Sequence, residues 1–340
     1  MSTTPIPTLF TVSFPPELLE KAIQVSPRIR LMTHTVRSAE DIPPDLWKQI
    51  EILYTDRILP DPAWVPNLRW VQFHFAGVDH VASHPLMGKK DIQITTLSGA
   101  AAPQVTEHVL LMLLALGHKI PELAAFHART EWPKDRWERF RAIELRESTV
   151  GIVGYGSIGR EVARLLHPLG ARILAAKRDV RHPEDSGYIP AGLGDPNGDL
   201  FTRLYPIQAL RSMLKECDFV VVCLPLSPAT RGLIGEAELA VMKPSAFLVD
   251  VSRGGIVNHA ALITALQEKR IAGAALDVFP EEPLPSSSPL WKMPNVIITP
   301  HISGISTHYS QRAMDLFLEN LKRYLSGNLL YNLYDSELGY

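Results

Sequence analysis

Gly154, Gly156 and Gly159 in the segment GYGSIG have the GxGxxG spacing that lets a backbone turn tightly, approach a pyrophosphate and pack the next helix onto its strand. Alone the spacing is a weak signal, because three glycines serve any tight strand-to-helix turn. Its setting is stronger. The apolar strand Thr149–Val153 runs into the loop, Ile158 begins a helix with Val162, Leu165 and Leu166 on one face, and a second strand starts at Arg172. Gly154, Tyr155, Gly156, Ser157, Ile158 and Gly159 are therefore candidates to hold a dinucleotide at a helix amino terminus.

The usual fingerprint places an acid about 20 positions on, at the end of the second strand, against the adenosine ribose hydroxyls. Here that strand ends in Ala175, Ala176, Lys177 and Arg178. Two cations suit a 2'-phosphate better than a diol, so NADP(H) is the preferred cofactor. Asp179 lies one residue further and leaves NAD(H) use open if the strand end is shifted. The plain alternative makes Lys177 and Arg178 solvated loop charges.

Downstream, the apolar strand Ala246–Val251 ends in Ser252, Arg253, Gly254 and Gly255; the strand Ala274–Val278 carries Asp277, with Glu281 and Glu282 before Pro283; and a third strand runs to Thr299, Pro300 and His301, with Gly304 just beyond. Singly, each has an ordinary explanation: Arg253 as an ion-pair residue, Glu282 as a loop charge, His301 as a helix cap. Together, at strand ends of one sheet, they supply what reduction of a keto acid needs. Arg253 is a fixed cation for carboxylate and carbonyl oxygen, His301 a proton donor near neutrality, and Glu282 a carboxylate to orient the imidazolium.

The elements that must position these residues alternate regularly. Short apolar strands at Thr8–Phe14, Arg30–Met32, Ile50–Tyr54, Trp70–Phe75 and Ile92–Leu97 predict a small parallel-sheet α/β domain in the first hundred residues. Pro15 and Pro16, then Pro43 and Pro44, stand where helix starts tolerate proline. Pro103 opens a long helix to about Leu116, apolar on every side, as expected of one lying between two bodies. A second alternation follows, with strands at Thr149–Val153, Arg172–Ala176, Phe219–Leu224, Ala246–Val251, Ala274–Val278 and Val296–Thr299. The Gly- and Pro-rich segment His182–Pro206 reads as a long surface insertion, to which no element is assigned. After Gly304, Ala313, Phe317, Leu321 and Leu325 recur every four residues and predict one closing helix, stopped at Gly327 and packed back on the first domain.

The chain has 340 residues, 46% hydrophobic and 21% charged, which suits two folded domains and excludes wholesale disorder. Its formal net charge of -2 offers no general field for nucleic acid or a membrane surface, so neither is an expected partner. The amino terminus does not read as a secretory signal, and no apolar run approaches the roughly 20 residues of a membrane span. Cys217 and Cys223 read as reduced core thiols of a cytoplasmic protein, not as catalytic ones. No metal site is expected.

The segments GIVGYGSIGR, CDFVVVCLPLSPATRGLIG, MKPSAFLVDVSRGGIVN, AGAALDVFPEEPLP and NVIITPHISG, with LRWVQFHFAGVDH and the closing NLYDSELGY, resemble the D-isomer-specific 2-hydroxyacid dehydrogenases. The resemblance spans nearly the whole chain except the insertion after His182. It implies two Rossmann/flavodoxin-like doubly wound domains with a cleft between them that closes on substrate: residues 1–118 plus 303–340 binding substrate, and 119–302 binding the dinucleotide. It implies Arg253, Glu282 and His301 as the catalytic triad, His301 protonating the carbonyl oxygen as hydride arrives at carbon 2. Glu282 is chosen over Glu281 because the family's acid directly precedes the proline.

The same resemblance places Asp277 beside the nicotinamide carboxamide, Val251 and Ser252 under its ring, and Leu224, Pro225 and Thr230 near the adenosine half, with Arg253, His301 and Gly304 also against the cofactor. The backbone of Ala76, Gly77 and Val78, after Phe75, is expected to cradle the substrate carboxylate. Three departures stand out: Lys177 and Arg178 where NAD users carry an acid, Ser303 where many members have Gly, and His74 with Phe75 where small polar residues are common. The last suggests a larger or more apolar pocket, which Phe73, Phe75 and Trp64 are candidates to line. Trp132 and Trp137 fall where related reductases reach across a dimer, so a homodimer is expected. The activity implied is reduction of 2-keto acids to D-2-hydroxy acids, and the reverse. The alternatives are a dinucleotide-sensing, corepressor-like binding protein on the same fold, and a formate dehydrogenase, which would carry Gln rather than Glu beside the His.

Overall fold

The computed structural model describes residues 4–340. In chain order the first elements are β1 (Ile6–Phe10), α1 (Pro16–Val25), β2 (Ile29–Thr33), α2 (Pro44–Gln49), β3 (Ile52–Thr55), β4 (Trp70–Phe73) and β5 (Gln93–Thr95). Proline occupies the first turn of both helices, where its missing N–H costs nothing. The five strands form one parallel sheet in the order β2-β1-β3-β4-β5. Each expected strand is present, shifted by a few residues at its ends.

Three helices follow, α3 (Ala102–Gly117), α4 (Ile120–Ala128) and α5 (Arg136–Arg139), and then β6 (Thr149–Val153), α6 (Ser157–Leu166), β7 (Arg172–Lys177) and β8 (Arg203–Pro206). The chain continues with α7 (Leu210–Leu214), β9 (Phe219–Val222), α8 (Glu236–Leu239), β10 (Phe247–Asp250), α9 (His259–Gln267), β11 (Gly273–Leu276), β12 (Val296–Ile298) and the closing α10 (Tyr309–Leu325). The second sheet has seven parallel strands in the order β12-β11-β10-β9-β6-β7-β8. Its central strands read FVVV, FLVD and GAAL and are buried throughout, as a parallel sheet covered on both faces requires.

The chain forms two compact units, one of residues up to Ala101 together with Ser306–Tyr340, the other Ala102–Ile305. Both chain ends enter unit 1, but the divisions differ from the expected 118/119 and 302/303. The reason is α3. Val105, Val109, Met112, Leu113 and Leu116 are buried, and the helix packs on α6, β10 and β11, so it belongs to unit 2. In unit 1, α10 packs on α1, and Asn320 Nδ2 reaches Gln72 Oε1 at 3.3 Å, tying the closing helix to β4.

The segment 182–206 is also more ordered than expected. Its last residues form β8, an edge strand on β7, and an edge is where a strand tolerates Pro206. Asp195, 2% exposed, accepts hydrogen bonds from the backbone of Gly198, Asp199 and Leu200, and from the Tyr155 hydroxyl at 2.6 Å. Arg160, on α6 and 1% exposed, donates to the carbonyls of Asp195, Pro183 and Glu184. The insertion is thus pinned to the glycine loop and its helix. Among the described residues, no single helix is long and apolar enough to cross a membrane.

Candidate active site

In unit 2 the strand order reverses between β6 and β9, with β7 and β8 on one side and β10 to β12 on the other. The crevice outside the carboxyl ends at such a switch point is where open α/β sheets bind ligands. The glycine loop leaves β6 there. A Cβ on Gly159 would meet the Gly154 carbonyl oxygen at 2.1 Å, so the helix can lie this close to its strand only with glycine. A Cβ on Gly156 would meet nothing within 4 Å, and Gly156 caps α6 with no side-chain hydrogen bond. An open space over a helix amino terminus is what a pyrophosphate needs. Across the switch point, the loop after β9 carries Leu224, Pro225 and Thr230, closed by Thr230 Oγ1 donating to the Pro225 carbonyl at 2.7 Å.

At the end of β7, Lys177 Nζ donates to the His182 carbonyl, and burial with the nearby Arg160 charge lowers its pKa. Arg178 follows it directly. Both carboxylate oxygens of Asp179 are engaged, Oδ1 by Arg181 and Oδ2 by His182 Nδ1 at 2.8 Å, which holds that carboxyl far below its usual range.

The three catalytic candidates lie at neighbouring strand ends. Arg253 follows β10, and its Nη1 donates to the Ser252 carbonyl at 2.8 Å. A Cβ on Gly254 would fall 1.9 Å from the Phe279 carbonyl oxygen, so glycine lets the loop after β10 touch the loop after β11 that carries Glu282. Glu282 Oε1 accepts from the Phe279 N–H at 2.9 Å, and Oε2 lies 2.7 Å from His301 Nδ1. Glu281 has no such contact with the imidazole. The pair is exposed, with the His301 side chain at 41% and that of Glu282 at 36%.

His301 has a left-handed backbone, φ 53°, uncommon for a non-glycine residue. Asp277, directly after β11 and buried, holds it there. Oδ1 accepts from Thr299 Oγ1 at 2.6 Å and from Ile302 N–H at 2.9 Å, and Oδ2 accepts from Ser303 N–H at 3.0 Å. This clamp was not legible in the sequence, where Asp277 carried only the cofactor contact implied by resemblance. Gly304 closes the loop, its carbonyl accepting from Gln104 of α3.

Asp250 is the last residue of β10. It is fully buried; Oδ1 accepts from both N–H and Oγ of Ser252, while Oδ2 has no hydrogen-bond partner. Burial raises this carboxyl to about 7, with the Asp277 charge adding to the rise and Ser252 opposing it. Val251 and Ser252 are buried beside it. The two cysteines are free thiols, and burial pushes both up to about 12, away from nucleophilic chemistry at neutral pH.

In unit 1, Phe75, Ala76, Gly77 and Val78 follow β4 at the carboxyl edge of its sheet. Of the three aromatics proposed for a pocket, Phe73 is wholly buried in the core, Trp64 lies on a surface turn, and Phe75 is 38% exposed.

Residues 110–303 match the family model of the D-isomer specific 2-hydroxyacid dehydrogenase NAD binding domain. A glyoxylate reductase of Thermococcus litoralis is 34% identical over 278 residues, covering 80% of this chain and 78% of that one. Among solved structures, a D-isomer specific 2-hydroxyacid dehydrogenase from Xanthobacter autotrophicus Py2, in complex with NADPH and MES, superimposes with a TM-score of 0.80 at 27% identity, covering 99% of this chain and all of its own (100%). The NADPH-dependent glyoxylate/hydroxypyruvate reductase of Sinorhizobium meliloti, solved with NADP and sulfate, does so with a TM-score of 0.77 at 26% identity over 98% of this chain and 100% of its own. Two doubly wound parallel sheets, a dinucleotide loop at a switch point and a His–Glu pair at strand ends define a nicotinamide-dependent oxidoreductase. The chain belongs to the D-isomer specific 2-hydroxyacid dehydrogenase family.

Proposed function

We propose that this chain reduces 2-keto acids to D-2-hydroxy acids, and runs the reverse reaction, with NADPH preferred. The observation that carries the proposal is the 2.7 Å contact between His301 Nδ1 and Glu282 at the strand end next to Arg253. When bound, the nicotinamide supplies or accepts the hydride at carbon 2. With Nδ1–H donating to the carboxylate, Nε2 is the nitrogen that exchanges a proton with the substrate oxygen, and Glu282 stabilises the imidazolium while that proton is held. Arg253, oriented through Ser252, binds the carboxylate and the carbonyl oxygen as it gains charge. The backbone of Ala76, Gly77 and Val78 receives the substrate carboxylate.

The glycine loop and the helix it opens would hold the pyrophosphate, and Leu224, Pro225 and Thr230 the adenosine half. Preference for NADPH is supported by Lys177 and Arg178 at the end of β7 and by Asp179, whose carboxylate is occupied by Arg181 and His182 instead of facing a diol. The test is a spectrophotometric assay of 2-keto acid reduction with each cofactor. The expected result is turnover with both and a higher kcat/KM with NADPH; no turnover on any acid would refute the activity.

We further propose a homodimer. Leu111, Ile120, Trp132 and Trp137 of unit 2 are 58%, 49%, 82% and 80% exposed, a large apolar surface for a single chain to leave in water. Sedimentation at micromolar concentration should show a dimer, and a monomer would refute it. The free thiols of Cys217, buried, and Cys223, partly buried, support a reducing compartment such as the cytoplasm.

A further inference from the structure

Unit 1 has a switch point of its own. β1 and β3 lie side by side, with β2 beyond one and β4 and β5 beyond the other, so a ligand crevice is expected outside their carboxyl ends. What stands there is aromatic. His74, in the segment after β4, has ring centroids 5.5 Å from Phe14, 5.6 Å from Tyr54, 5.2 Å from Phe75 and 5.2 Å from Tyr309. Two hydrogen bonds lock the group: the Tyr54 hydroxyl and His74 Nδ1 are 2.7 Å apart, and the Tyr309 hydroxyl donates to the His74 carbonyl at 2.6 Å. Burial pushes the imidazole down to about 4 against the pull of Asp56, so the cluster is uncharged at neutral pH. Phe75, 38% exposed, stacks on Tyr309 at 6.5 Å and its carbonyl accepts from Leu97 N–H at 3.1 Å. A phenyl ring held at its backbone and along one side, yet open to solvent, serves no need of the core.

We propose that this cluster is the subsite for the substrate's side chain, and that it selects 2-keto acids bearing a large apolar or aromatic substituent, the arylpyruvate class, over glyoxylate. The inference rests on the proposed reading that Ala76, Gly77 and Val78 receive the substrate carboxylate. Phe75 immediately precedes that loop, so a substituent on the carbon next to the carboxylate meets its ring. An uncharged wall of rings carries no cation for a second carboxylate or a phosphate, and Arg57, in the loop after β3, is paired with Asp56 at 3.1 Å. A ring-sized apolar substituent gains from leaving water and from stacking.

The test is kcat/KM of the full chain for phenylpyruvate, hydroxypyruvate and glyoxylate with NADPH and with NADH, repeated in Phe75→Ala and Phe75→Leu. One methylene in an apolar pocket is worth about tenfold or more, so phenylpyruvate should exceed glyoxylate by at least about tenfold. The phenylpyruvate-to-glyoxylate ratio should fall about tenfold in Phe75→Ala, mainly through KM, and less in Phe75→Leu, which keeps bulk should the Ala variant misfold. Glyoxylate preferred or equal in the unaltered chain, or a ratio unchanged in the variants, overturns the side-chain assignment and leaves the reductase reading standing. Failure to reduce any acid overturns both.

Discussion

The carboxyl ends of the two parallel sheets are furnished in opposite ways. In unit 2 the strand ends carry charge: Asp250 and Arg253 at β10, Asp277 and Glu282 after β11, His301 after β12, tied together by backbone N–H groups. In unit 1 the equivalent edge carries rings, Phe14, Tyr54, His74 and Phe75, with the Tyr54 hydroxyl and His74 Nδ1 spent on each other. One topological rule puts a candidate ligand site at each edge. Under the proposed function the charged edge transfers the proton and holds the oxyanion, and the uncharged edge distinguishes one substituent from another. On this account, changes at the unit 2 edge lower the rate for every substrate, and changes at the unit 1 edge alter the ranking of substrates.

The largest effect outside the His301–Glu282 pair is expected of Arg253→Ala, which removes the cation from the carbonyl oxygen. kcat/KM should fall about 10²- to 10³-fold for all acids alike. A loss confined to one acid would break the division of labour. Asp277→Ala releases the donors that hold His301 in its left-handed backbone, and kcat should fall about 10²-fold, as expected for a misplaced catalytic group. Its signature is kcat rather than cofactor affinity; a rise in cofactor KM alone would return Asp277 to a purely cofactor-binding role. In the double variant Lys177→Ala, Arg178→Ala, the KM for NADPH should rise about tenfold more than that for NADH, the worth of a charged hydrogen bond. Equal rises would remove the argument for NADPH.

The smallest expected effects concern stability, and here the two edges have opposite signs. The folded Asp250 carboxyl, near 7 against an ordinary 3.8, keeps its proton where the unfolded chain has lost it, so its contribution is complete below about 3.8 and lost as pH rises through 7. His74, near 4 against 6.5, behaves in reverse: its contribution is intact above 6.5 and lost as pH falls through 4. Asp250→Asn should therefore raise Tm above pH 7, by about 2–4 °C for each kcal/mol recovered, with the gain gone near pH 4. His74→Gln, which still offers Tyr54 a partner, should remove part of the loss in Tm between pH 6.5 and 4. Thermal scans across that range, flat in both differences, would show that neither group is buried as described.

The contrast also explains how much was legible beforehand. Strands of buried parallel sheets are near-continuous apolar runs, so FVVV and FLVD announce themselves, and the residues just beyond them are where ligand chemistry falls. That is why Arg253, Glu282 and His301 stand out together as candidates, although none does so alone. The expected pairing of Glu282 with His301 is a 2.7 Å contact, but the turn that brings the two together across 19 residues has no local signature. The edge strand β8 hid behind Pro206 and the glycines before it. α3, apolar on all sides, announced that it would be buried without saying on which sheet. The ties from Asp195 to Tyr155 and from Arg160 to the insertion join residues 23 to 40 apart, and a charged residue on a helix reads as solvated until its partners are seen.

The proposed role of the His301–Glu282 pair, moving the proton in 2-keto acid reduction, is tested most directly by the steady-state rate of NADPH-dependent reduction in His301→Ala beside the unaltered chain, with cofactor affinity measured by titration in both. The expected kcat is lower by about 10²- to 10⁴-fold with cofactor binding nearly unchanged. Turnover in His301→Ala equal to that of the unaltered chain would contradict that role.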